Sequence, residues 1–274
     1  MSTMGRTGFE NIPPVVKNLI IINAILLLVT WVLGTSFGID LNRILGLFYF
    51  GSSLFRPHQI VTHMFMHGGL THLFFNMFAL FMFGRILEQV WGSKRFLTYY
   101  MVTGLGAALL HTLVIHFQIT GIEKAATAML NTLSPETFAA FVTKYFPEYY
   151  GTIYDNMLGA WFNNPNNQVF MNQAQEYARQ LIDAKMNVPT VGASGAVFGV
   201  LLAFGMYFPN TQLMLIFPPI PIKAKYFVMG YGAIELWLAI TQPGSNIAHF
   251  AHLGGMLFGF IFIKYWAHRR DRFY

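Results

Sequence analysis

The chain contains no cysteine, and charged residues make up only 10% of its 274 positions. Without cysteine there are no disulfides and no thiolate metal sites, and nothing in the composition reports on redox compartment. Soluble domains carry about 25% charged residues. So low a charge density beside 55% hydrophobic residues excludes that class and points to a multi-span membrane protein. Acids are scarce where they would matter most: Glu235 is the one carboxylate inside an apolar run. The formal charge of +6 could suggest nucleic acid, but the cations gather at the ends of apolar runs. That is a topology signal rather than a phosphate-binding face, so no nucleic-acid partner is expected. His63 and His67 have metal-ligand spacing but no accompanying His-Glu-x-x-His, which argues against a zinc protease and leaves no metal expected. Nor is a cleavable leader expected: the first apolar run, 19–39, is too long for a signal core and follows 18 more polar residues.

Six runs approach the roughly 20 residues that a bilayer core requires. They lie near 16–38, 66–84, 95–117, 191–208, 225–242 and 247–266. The predicted fold class is therefore all-α, a polytopic membrane protein with six transmembrane helices. Its parts are a leader, 1–15; a first membrane block, 16–118, with an interfacial loop at 39–65; an extramembrane segment, 119–190; a second block, 191–266; and a basic tail, 267–274. With the amino terminus inside, eleven Lys and Arg fall on the inner side and six on the outer, four of those six in the long 119–190 segment. Long loops count little in such a balance, so both termini are expected to be cytoplasmic, in the cell membrane.

The chemistry sits in three of these runs. Gly192-Ala193-Ser194-Gly195 opens the fourth, and Ala251-His252-Leu253-Gly254-Gly255 lies in the sixth. A serine between small residues at a helix start, with a histidine on a neighbouring apolar helix, is the least equipment that nucleophilic acyl transfer needs. Ser194 would be the nucleophile and His252 its base. Gly255 and Gly259 follow His252 on one helical face and let another helix approach closely. Gly195, Ala196 and Gly199 form a matching smooth face after Ser194. In the second run His72 and Asn76 are four residues apart and share a face, where an imidazole and an amide could donate to a developing oxyanion. The Ser194 N–H would add a third donor.

These residues resemble the rhomboid family of intramembrane serine proteases. The family's Gly-x-Ser-Gly appears as Gly192 to Gly195, its Ala-His-x-x-Gly-x-x-x-Gly as Ala251, His252, Gly255 and Gly259, and its His-x-x-x-Asn as His72 and Asn76. Glu88 to Ser93 also resembles the end of the family's second helix. The resemblance covers about 200 residues, leaving out 119–190 and the termini. It implies a six-helix fold, a water-filled cavity opening outward, and a Ser194–His252 dyad with no third acidic member. The sequence is consistent with a dyad, since no Asp or Glu stands near either motif. It further implies cleavage of single-pass transmembrane proteins within the lipid bilayer, without a cofactor or metal. One departure is visible: Phe198 stands where the family often has a tyrosine beneath the base, which preserves stacking and removes a hydroxyl.

Two other classes compete. A catalytically inactive relative would keep the fold and bind or escort membrane clients, but it typically loses Ser or His, and both are here. A transporter would need ion-coordinating groups or repeat symmetry, and a single buried acid without an evident repeat argues against it. His63, His67, His111, His116 and His249 read as loop or interface residues, and Glu88 as a capping group. The 119–190 segment holds six of the eleven acids, eight asparagines and a net charge of −2, too polar to span. Ser134-Pro135-Glu136 predicts a helix start. Phe170, Ala174, Tyr177, Ala178 and Leu181 predict an amphipathic helix. This helical element is expected to lie outside, over the cavity mouth, and to influence which substrates enter.

Overall fold

A computed structural model describes residues 12–215, 219–242 and 248–270, with side chains to 268. Residues 1–11 of the expected leader, with Arg6, and 271–274 of the expected tail, with Arg272, lie outside the described residues. The chain divides into two compact units. One comprises 1–47, 56–112 and 189–274; the other comprises 48–55 and 113–188.

The first unit is built on long apolar helices. α1, Pro14–Phe37, starts on a proline, which suits a first-turn position because its missing N–H would be unpaired anyway. Two of the N–H groups left over at that end donate to Glu88, Val15 at 3.0 Å and Val16 at 2.8 Å. Ser93 Oγ donates to the same carboxylate at 2.6 Å, so Glu88 is a capping residue and is buried. It sits near the end of α2, Leu70–Trp91, which contains a π-helical turn at Leu80–Gly84. Gly92 then takes φ +79°, a left-handed value that favours glycine, and the chain enters α3, Ser93–Asn131. At 39 residues α3 far outlasts the expected span of 95–117. Its continuation is rich in Ala with Glu123 and Lys124, good helix formers that give the backbone no reason to stop.

Later in the first unit come α4, Ser194–Tyr207, α5, Ala224–Thr241, and α6, His249–Arg270. A two-stranded antiparallel hairpin, β1 Gln212–Met214 with β2 Pro221–Lys223, lies between α4 and α5 and was not expected. α1, α2, α3 and α6 are long and apolar enough to cross a membrane. Large apolar side chains such as Trp31, Phe75, Leu109 and Phe260 are exposed on these helices. A surface of that kind is tolerable in lipid and a liability in water, and it marks the chain as a membrane protein. α4 differs: it has 14 residues, and ten of them are buried on all sides. A helix apolar all round belongs in an interior. α2, α3, α5 and α6 all reach it: Phe83 meets Phe204, Thr103 crowds Gly199, Val228 crowds Gly205 and Gly255 meets Gly195.

The second unit has its own core, in which Phe138, Phe146, Met157, Leu158, Trp161 and Ala174 are essentially excluded from solvent. Both helices expected there are present. Pro135–Tyr145 is capped by Ser134, whose Oγ accepts from Thr137 N–H while Thr137 Oγ1 accepts from Ser134 N–H. Gln168–Met186 buries Ala174, Ala178 and Leu181 and rests Phe170 and Tyr177 against the core. Between them, short turns of helix over 147–163 bring in Trp161.

Candidate active site

Ser194 is the first residue of α4, so its N–H and those of the next turn have no partner within the helix. The helix dipole adds partial positive charge at that end. The chain reaches Ser194 along a pinned approach. Thr190 and Leu47 exchange backbone hydrogen bonds at 2.8 and 2.9 Å, and Gly192 N–H donates to the His63 carbonyl at 2.9 Å. Gly192 has φ +133°, and a Cβ there would stand 2.8 Å from the His72 ring. Backbone conformation and available space both demand glycine.

His252 Nε2 lies 2.9 Å from Ser194 Oγ, across 58 residues of sequence. The imidazole lies flat on Phe198, with centroids 4.1 Å apart and planes 5° apart. Phe198 is one turn beyond Ser194, so a single helix supplies both the hydroxyl and the surface that orients its partner. The close approach is visible at Gly255, where a Cβ would run into the carbonyl oxygen of Gly195. Gly259 would drive a Cβ into the Tyr99 hydroxyl, which donates to Gly199 O at 2.8 Å. Gly195 faces Ala107 of α3. The contact expected between the fourth and sixth runs is thus made at Gly255, while Gly195 and Gly259 chiefly admit the third helix.

His72 borders the same spot through the edge of its ring that faces Gly192, and its Nδ1 accepts a long 3.4 Å bond from Gly68 N–H. Asn76 is buried one turn on, and one of its amide hydrogens goes to the His72 carbonyl at 3.0 Å. An amide nitrogen carries two hydrogens, so the second is left for another acceptor. A pocket beside Ser194 is lined by Met64, Gly104, Ala107, Val191 and Ala248.

The remaining histidines divide by surroundings. His63 Nδ1 lies 2.9 Å from Gln59 O, and burial holds its pKa below the usual imidazole range. His111 Nε2 meets Thr190 Oγ1 at 3.0 Å and steadies the approach to Ser194. The His67 ring meets His72 edge-on at 5.0 Å. In the second unit His116 pairs with the Tyr49 hydroxyl at 2.8 Å.

The expectation of no acid near the histidine is corrected by Glu235. This carboxylate of α5 is 5% exposed, and its Oε2 lies 2.6 Å from His249 Nδ1 and 3.0 Å from His252 Nδ1. The first contact is a well-formed hydrogen bond. The second has the distance but not the alignment of one. Distance in sequence hid this, since Glu235 precedes His252 by 17 residues on another helix. A signal was present: an acid inside an apolar run needs a partner, and His249 and His252, three apart, share a helical face. One ligand atom from each of Glu235, His249 and His252 lies within 4.8 Å of the others, so these three are also the residues that could hold a metal ion.

The family model described as the rhomboid domain matches residues 54–142 and 151–269. Its match therefore takes in all of the 119–190 segment but 143–150. The chain is similar to RHOMBOID-like protein 12, mitochondrial, of Arabidopsis thaliana, 27% identical over 73% of this chain and 44% of that protein. It is also similar to RHOMBOID-like protein 6, mitochondrial, of the same plant, 32% identical over 28% of this chain and 26% of that one. Rhomboid protein 1, mitochondrial, of Saccharomyces cerevisiae is 35% identical over 27% of this chain and 21% of its own length. The chain thus spans less than half the length of these curated relatives. No solved structure matches.

Proposed function

The chain belongs to the rhomboid family, and from that premise we propose that it is an active intramembrane serine endopeptidase. Ser194 Oγ attacks the scissile carbonyl carbon while its proton passes to His252 Nε2. The tetrahedral oxyanion is received by the Ser194 N–H, His72 and Asn76. The C–N bond then breaks, and the Nε2 proton goes to the leaving amine. Water, deprotonated in turn by His252, hydrolyses the acyl-enzyme and restores the Ser194 hydroxyl. The observation that carries this reading is the 2.9 Å contact between Nε2 and Oγ at an uncapped helix start. An inactive family member that only escorts clients has no need to keep that pair aligned.

The substrates are single-pass transmembrane proteins. In this reading six helices cross the cell membrane, with both termini cytoplasmic by the balance of Lys and Arg. The shortness of α4 gives the site its depth. Fourteen residues at about 1.5 Å each cover roughly 21 Å of a hydrocarbon core about 30 Å thick. A helix start can then sit below the surface, where irregular backbone is tolerated only when it is buried in protein or lines a watery cavity.

The test is reconstitution in vesicles with a generic transmembrane substrate. Ser194→Ala and His252→Ala should each abolish cleavage, and the double variant should be no worse than either, because the two residues act as a unit. A serine-directed phosphonate should label wild type at Ser194. Substantial turnover by Ser194→Ala would sink the assignment.

A further inference from the structure

Glu235 is costly where it stands. A carboxylate inside a membrane helix is disfavoured unless it is paired or used, and this one is 5% exposed inside α5. Such a group is retained when its charge is used or fully paired. Both nitrogens that approach it are Nδ1 atoms of one helix, from His249 at 2.6 Å and His252 at 3.0 Å, and both reach the same Oε2.

The proposed dyad asks something definite of His252. For Nε2 to accept the Ser194 proton, the neutral ring must carry its hydrogen on Nδ1. A carboxylate facing Nδ1 selects that tautomer, and it opposes the positive charge that appears when Nε2 is protonated. Phe198 fixes the plane of the ring but offers no polar atom to do either task. The other titratable groups around His252 are His249 on its own helix, His72 of α2, His111 of α3 and Tyr231 of α5. None of these is an anion at neutral pH, so Glu235 is the negative charge at this site.

We propose, resting on the protease reading above, that Glu235 is a positioning residue for His252, making the working unit Ser194–His252–Glu235, with His249 anchoring the shared oxygen. The Nδ1 hydrogen stays on His252 throughout, and no proton passes to Glu235. The misalignment of the 3.0 Å contact in the resting state fits this role, since catalytic hydrogen bonds tighten when the imidazolium forms.

The test compares wild type, Glu235→Gln, Glu235→Asp and Ser194→Ala in vesicles, measuring kcat and KM across pH together with thermal stability and metal content. Replacing the acid of a Ser-His-Asp site by its amide lowers kcat by about 10⁴. With stacking on Phe198 retained, a fall of roughly 10²–10⁴ in kcat is expected for Glu235→Gln, with KM little changed. The sign of the pH effect follows from charge. The carboxylate's negative charge favours the imidazolium that the reaction forms, and the neutral amide does not. In the amide variant, the acid limb of kcat/KM should therefore move to lower pH. Glu235→Asp should return part of the rate and move the limb back. Wild-type kcat with an unmoved limb in Glu235→Gln overturns the proposal, provided Ser194→Ala is dead. A lowered melting temperature with unmoved pH limb and unchanged kcat overturns it too, assigning Glu235 to structure alone. Stoichiometric bound zinc, whose removal by chelator abolishes turnover, overturns it in favour of a metal site on the same three residues. Turnover by Ser194→Ala instead overturns the underlying protease reading.

Discussion

At the residue scale, the proposed oxyanion donors are the least evenly supported parts of the site. His72 touches Gly192 beside the nucleophile, while Asn76 gives one hydrogen to the His72 carbonyl and keeps one. Losing one preorganised donor typically costs about 10²–10³ in kcat. Asn76→Ala and His72→Ala should each fall in or near that range with substrate binding little changed, as read by kcat and KM separately. If Asn76→Ala keeps its full rate and loses only thermal stability, the amide serves the helix and not the reaction. The i, i+4 spacing put His72 and Asn76 on one helical face, the glycine-flanked motifs pointed to Ser194 and His252, and the family resemblance singled out Phe198. The unequal engagement of the two donors could not be read that way, because hydrogen-bond direction depends on rotamers and neighbours.

At the element scale, the glycines decide how near α4 and α6 come. A Cβ on Gly255 has only the Gly195 carbonyl in its way, which is backbone and cannot rotate aside. Gly259 confronts the Tyr99 hydroxyl, the end of a side chain that also bonds Gly199 O. Gly255→Val should therefore be the more damaging change. A displacement of 1 Å from the reactive geometry can cost about a hundredfold in rate, so near-complete loss of cleavage with a lowered melting temperature is expected. Gly259→Val should also lose activity and stability, but less. Equal and normal activity in both variants would mean that the two faces are not in tight contact. The pattern Gly-x-x-x-Gly announced a packing seam; which helix each glycine admits could be read only from the packed bundle.

At the scale of the whole molecule, the second unit poses the open functional question. It has its own apolar core and capped helices, and its last long helix ends at Met186, eight residues before Ser194 in the chain. The proposal that 119–190 influences substrate choice can be tested by replacing 125–185 with a short Gly/Ser linker. The shortened protein should fold and label at Ser194 with a small phosphonate as wild type does, while its relative rates on several transmembrane substrates change. Unchanged rates on all of them would mark the segment as a tolerated elaboration.

Without any structure, the chain already declares the membrane class, the helical composition, the two helices of 119–190 with the Ser134 cap of the first, and the Ser194–His252 pair. The first three rest on composition, on 3.6-residue periodicity and on local capping chemistry, and the pair on short motifs that resemble the family's, all of which are local properties of the chain. The sequence stopped short at the full length of α3, at the hairpin after α4 and, above all, at Glu235. Only tertiary structure brought that carboxylate of α5 to the Nδ1 side of His252. The physical reason is that a charge inside a membrane bundle takes its role from whatever faces it across helices, and no periodicity within its own helix records that neighbour.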